Sequence, residues 1–84
     1  MAQKMTPRKR VFRRAIQILK RGGWFQGFKS SPGHHCAVTA IQAAAWELDE
    51  PAYRHYQNRP LVAFNDVKGR TATQVYRKLR DLAG

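Results

Sequence analysis

Eighty-four residues make one domain with a single small core, and they leave no room for a deep catalytic cleft beside it. A hydrophobic share of 43% with two Trp, three Tyr and four Phe excludes a disordered basic tail, and a lone cysteine excludes an internal disulfide. Sixteen Lys and Arg against five Asp and Glu give a formal charge of +11, an excess that repels itself in a folded chain and favours a polyanionic partner.

Residues Met1 to Met5 read as a frayed terminus. No apolar run there has the length of a signal peptide, so the expected setting is reducing and cytoplasmic. Thr6-Pro7 is a helix start, with Thr as N-cap and Pro at the first helical position. The helix is expected to run to about Arg21. Val11, Phe12, Ala15, Ile16, Ile18 and Leu19 fall on one side of it, and Lys9, Arg10, Arg13, Arg14, Lys20 and Arg21 on the other. Arginine forks suit phosphate, while Lys20 and Arg21 also complement the helix dipole. A membrane surface fits less well, because the core needs the apolar face of this helix.

Gly22-Gly23 ends the helix, one of the two with left-handed backbone. Trp24, Phe25 and Phe28 follow in a loop, where such a cluster either plugs the end of a small core, which we expect, or stacks on bases. Lys29 to Gly33 is a turn. The stretch from Cys36 to Leu48, CAVTAIQAAAWEL, carries no charge before Glu47 and reads as a buried central helix. Ser31-Pro32 could cap it, or it could begin nearer His35. Ala40, Ala43, Ala44 and Ala45 would let neighbouring helices approach closely.

Asp49-Glu50-Pro51 breaks that helix or starts a short one with Asp49 as N-cap. Residues Ala52 to Asn58 hold one or two turns. Arg59-Pro60 forbids helix at Arg59, and Leu61 to Phe64 is a helical turn or a short strand. After a turn over residues 65–70, Thr71-x-x-Gln74 is a capping box. The last helix runs to Ala83, with Ala72, Val75, Tyr76, Leu79 and Leu82 inward and Arg77, Lys78, Arg80 and Asp81 opposite. No Lys or Arg lies between Lys29 and Arg54, so the basic residues form two sets flanking the central helix.

Three constellations invite chemistry. His34-His35-Cys36 places a thiol at a helix N-terminus, where the dipole favours a thiolate, with His34, His35 and His55 as candidate bases and Asn65 or Asp66 to orient one. A small buried hydrophobe is the preferred reading of Cys36. One Cys and three His have no zinc-site spacing, and neither a metal nor a cofactor is expected. The string Asn65-Asp66…Gly69-Arg70-Thr71 reads as an Asx turn, a glycine at positive φ and a cap, with Arg70 pairing Asp66 or a phosphate and Lys68 able to join it in holding an anion.

Gly23-Trp24-x-x-Gly27, Cys36 opening an alanine-rich helix, Phe64-Asn65-Asp66 and Gly69-Arg70-Thr71-x-x-x-Val75 form a pattern. It resembles a family of small uncharacterised proteins from actinobacteria and their phages, over roughly Ala15 to Ala83. Family members often carry Trp at the position of Phe64 and a longer insertion before Cys36. The resemblance implies no activity. It marks Trp24, Gly27, Cys36, Asn65, Asp66, Gly69, Arg70 and Thr71 as pattern positions of unassigned role.

The expectation is a single all-α domain, a bundle of three main helices with one or two short turns and the central helix buried. The expected function is non-enzymatic binding of nucleic acid or a nucleoprotein through Lys9, Arg10, Arg13, Arg14, Lys20 and Arg21, with a second set of Lys68, Arg70, Arg77, Lys78 and Arg80. The short turn of a helix-turn-helix is not evident. The alternatives are a phage-type effector that binds an acidic host protein and, after it, a minimal hydrolase built on Cys36.

Overall fold

The computed structural model describes residues 5–26 and 35–84. Expectations placed on Gly27, Phe28, Ser31, Pro32 and His34 lie outside the described residues. The described chain forms α1 (Pro7–Gly22), α2 (Ala37–Glu47), a 3-10 turn (Pro51–Tyr53), α3 (Arg59–Asn65) and α4 (Ala72–Ala83). It is all-helical, with four helices; α3, of seven residues, and the 3-10 turn fall where one or two short turns were expected beside three main helices. Its one β contact is an isolated bridge between Trp24 and His35.

Both ends of α1 follow from local chemistry. Thr6 Oγ1 accepts the Lys9 N–H at 3.1 Å, which satisfies one of the donors a helix start leaves open. Gly23 ends the helix at φ 100°, a backbone region that favours glycine, and its N–H donates to Leu19 O. Val11, Phe12, Ala15, Ile16 and Leu19 are buried, as the periodicity predicts.

The cap of α2 is Cys36. Its Sγ accepts the Thr39 N–H, and Thr39 Oγ1 accepts the Cys36 N–H at 2.9 Å, so Cys-x-x-Thr works as a capping box. Ala37, Val38, Ala40, Ile41, Ala44 and Ala45 are buried, but Trp46 is 57% exposed and Glu47 lies at the surface. The expected burial all round does not hold. α2 packs on α1, α3 and the 3-10 turn, whereas α4 packs on α1.

The helix shared by both neighbours is therefore α1, and the expectation that the first and last helices both pack on the alanine-rich one is corrected. The reason lies in side-chain size. Alanines permit close approach but fill little volume, and α1 contributes Phe12, Leu19 and Val11 to the largest fully buried side chains. Tyr53 and Tyr56 set ring edges against Phe12 at 6.2 and 5.7 Å between centroids, closing the core from the 3-10 side.

Asp49 does not cap the next element; it ends α2. It sits at φ 55°, a left-handed conformation that Asp tolerates better than most residues. The Glu50 N–H returns to Ala45 O at 2.9 Å and the Asp49 N–H to Trp46 O at 3.4 Å, a Schellman-type stop. Glu50 precedes the 3-10 turn. Arg59 is helical, against expectation. Asn58 Oδ1 accepts the Leu61 N–H at 3.0 Å, and Pro60 falls in the first turn, where its missing donor costs no intrahelical bond. The stretch from Leu61 to Phe64 is thereby settled as helix.

Asn65 is the buried polar group of the core, at 2% exposure. Its Oδ1 accepts Trp24 Nε1–H at 2.6 Å and the Ala37 N–H at 3.0 Å, and its Nδ2 donates to Phe25 O and to Asp66 Oδ1. One side chain at the end of α3 therefore ties the exit of α1 to the first turn of α2. Gln26 adds bonds to Asn65 O and Val67 O.

Candidate nucleic-acid interface

The cationic face of α1 is divided in two by its neighbours. The Schellman stop turns the chain so that Glu47 and Glu50 meet α1. Glu47 takes both Arg14 Nε and Nη2 at 2.9 Å, a fork-to-carboxylate pair, and Glu50 takes Arg10 at 3.1 Å. The Arg14 hydrogen bonds and charge hold the Glu47 carboxyl below its ordinary pKa, with a smaller pull from Arg21, and raise that of Arg14. Arg10 and Arg14 were expected to face solvent unpaired; they are latched to the acidic end of α2. Asp49 engages Arg54 in the same segment.

Lys9, Arg13, Lys20 and Arg21 form no ion pair with a carboxylate among the described residues, nor do Arg77 and Arg80. Arg13 donates a hydrogen bond to Met5 Sδ. The two helices that bear these cations lie side by side and antiparallel. Arg8, at the start of α1, donates to Leu82 O near the end of α4, and Lys20, at the end of α1, stands 5.4 Å from the Tyr76 ring centroid. At 100° per residue, Lys9, Arg13 and Lys20 share one edge of α1, and Arg80 lies on the Tyr76 side of α4, with Arg77 next to it on the outer face, where it also borders the depression beside Phe64. The two basic sets are thus neighbours rather than opposite flanks of α2.

Lys68 and Arg70 differ in their surroundings. Lys68 is exposed in the turn, while Arg70 donates Nε–H to Phe64 O at 2.8 Å and lies over the Phe64 ring, not on Asp66. Lys78 approaches that same ring. Gly69 has φ 84°, the positive value expected, and Thr71 caps α4 reciprocally with Gln74.

Most of the described pattern positions make structural contacts. Trp24 and Asn65 bond each other, Cys36 and Thr71 cap helices, Gly69 makes the turn, and Asp66 meets Asn65. Of the bases considered for the cysteine, His55 lies away from it, His35 is its neighbour in sequence, and His34 lies outside the described residues. Cys36 is 6% exposed at one end of α2, and His55 packs edge-on to Trp46 near the other end. Asn65 is committed to Trp24 and Ala37. No group of three or more His, Cys, Asp or Glu converges among the described residues.

Two features escaped the sequence reading. An apolar groove of about 570 Å³ runs between α2 and α3, with Cys36, Thr39, Gln42, Asn58, Arg59 and Val62 among its walls. The acidic stretch from Glu47 to Glu50 works as an arginine latch, and its only prior signal was that three of the five acids crowd into four residues.

Fold and surface together define a small all-helical basic domain whose first and last helices present an adjoining cationic face. The chain belongs to a family of unknown function, DUF6197, which matches residues 3–84. Neither a curated protein nor a solved structure matches it.

Proposed function

We propose that this protein binds nucleic acid, or an assembly that contains it, through Arg and Lys contacts to phosphate on the joint face of α1 and α4. The observation that carries this reading is the placement of unpaired cations. Lys9, Arg13 and Lys20 adjoin Arg77 and Arg80 across an antiparallel helix pair, while the carboxylates of the Glu47–Glu50 segment are engaged elsewhere. Phosphate contacts position a protein without reading bases, so binding should be weakly sequence-dependent. The test is a salt titration with a duplex and a single strand. Affinity should fall steeply between low and moderate salt, and a flat response would reject the reading.

A second reading is a phage-type effector that docks on an acidic host protein, in a cytoplasmic and actinobacterial setting. It is favoured by Trp46, which is 57% exposed with the Arg54 guanidinium 4.3 Å from its ring centroid, because Trp and Arg are typical interface anchors. A pull-down with and without nuclease separates the two. A partner that survives nuclease supports the effector, and one lost with the nucleic acid supports the first reading.

A further inference from the structure

The cleft around Phe64 differs in kind from the helical ridge. Arg70 precedes the cap of α4, and its guanidinium lies 3.7 Å from the Phe64 ring centroid. Nε is bound to Phe64 O at 2.8 Å and Nη1 reaches Gln74 Oε1 at 3.5 Å, so the guanidinium plane is fixed by two bonds while Nη2 has no acceptor among the described residues. Lys78, one turn beyond Gln74, places Nζ 5.4 Å from the centroid of the same ring. Arg77 also lines the cleft, and Asp81 is its one carboxylate; none of the three cations forms an ion pair with it. The depression they line is shallow and open to solvent, with about 300 Å³ of space above it.

The physical consequence is unbalanced charge at a point. An aromatic face attracts each cation, but it is neutral and does not cancel their mutual repulsion. A multiply charged anion does. A pre-oriented arginine fork beside a lysine point charge is the donor set that phosphate oxygens fit. Cations strung along a helix suit the singly charged diesters of a backbone. Three converging on one concavity suit a phosphomonoester, which carries about −1.5 to −2 at neutral pH.

We infer that the Phe64 cleft binds a phosphomonoester, with Arg70 as the fork and Lys78 as the point charge. Two sources share that chemistry: the terminal phosphate of a nucleic-acid strand, which rests on the function proposed above, and a free mononucleotide, which does not.

The experiment has two arms. In the first, the folded chain is titrated with inorganic phosphate and with AMP while the amides of residues 69–78 are followed by NMR. In the second, polarisation compares one oligonucleotide carrying a 5′-phosphate with the same strand carrying a 5′-hydroxyl, for the native chain, K78Q, R70K and D81N. The native chain should shift the cleft amides and prefer the 5′-phosphate. K78Q should weaken phosphate and the 5′-phosphate strand by roughly tenfold and leave the 5′-hydroxyl strand nearly unchanged. R70K, which keeps the charge and loses the fork, should also lose the preference, and D81N should tighten binding. Circular dichroism establishes that each variant is folded. Absence of cleft shifts with both phosphate and AMP, or equal weakening of both strands by K78Q, overturns the inference. Cleft shifts with no binding of either strand support the cleft and reject the nucleic-acid reading; strong binding of both strands without preference or shifts does the reverse.

Discussion

Asn65 accepts two N–H groups from parts of the chain far apart in sequence. Asn65→Ala would leave the Trp24 indole and the Ala37 amide without an acceptor in a dry site, so urea denaturation should show a loss of about 2–4 kcal/mol. Trp24→Phe keeps an aromatic ring, though a smaller one, and removes one donor, while the Asn65 oxygen still serves Ala37; its cost should be smaller, about 1–2 kcal/mol. The reverse ranking would mean that ring packing, not the polar knot, holds this corner. Glu47 makes a prediction about pH. Its pKa is lowered in the fold by Arg14, so the stability it contributes is present above the ordinary glutamate value of about 4.3 and is lost as pH falls through the lower folded value. The melting temperature of E47Q should lie slightly below the native one at pH 7. The two should converge in acid, below about pH 4. The gap should be small, because the pair is exposed and screened by salt.

Side-chain caps decide where all four described helices begin, and they separate what the sequence discloses from what it conceals. Thr6, Thr71 and the glycine after α1 are read directly, because each acts on residues within four positions of itself. The Cys36–Thr39 box is equally local and was missed because cysteine is not an expected cap; Ser31 drew attention instead. It can be tested: C36A should cost about 1 kcal/mol of stability, whereas C36S, which keeps an acceptor for Thr39 N–H, should restore most of it. Equal losses in the two variants would assign the effect to packing of the thiol rather than to its cap. Helix α3 was hidden by the rule against helix before proline, a rule that weakens in a first turn already capped by Asn58. Asp49 was left open between a break and a start, and it is the break, since a left-handed residue is decided by the chain on both sides of it. The role of α2 was overrated because a uniformly apolar segment looks central, although volume rather than apolarity determines which helix the others share.

On the scale of the whole molecule, pairing across distance matters most, and periodicity carries no information about it. The two basic sets were legible as sets; that they adjoin through α1 and α4, and that Arg10 and Arg14 are withdrawn into ion pairs, depended on contacts 33 to 74 residues apart. This division makes a sharp distinction among arginines one turn or less apart on the same helix. If Lys9, Arg13, Lys20, Arg21, Arg77 and Arg80 each meet a phosphate, the duplex affinity should fall about a thousandfold between 50 and 200 mM salt. The double variant R13E/R80E should stay folded, since neither residue is paired or buried. It should also flatten the salt dependence by about two units of slope, because each lost contact releases roughly one fewer counterion. R14E acts differently. It sets a glutamate against Glu47 and removes a bidentate pair, so it should lower the melting temperature while changing the salt slope by less than R13E does. If R14E flattens the salt dependence as much as R13E, then Arg14 leaves Glu47 for phosphate on binding, and the latch is part of the contact surface rather than outside it.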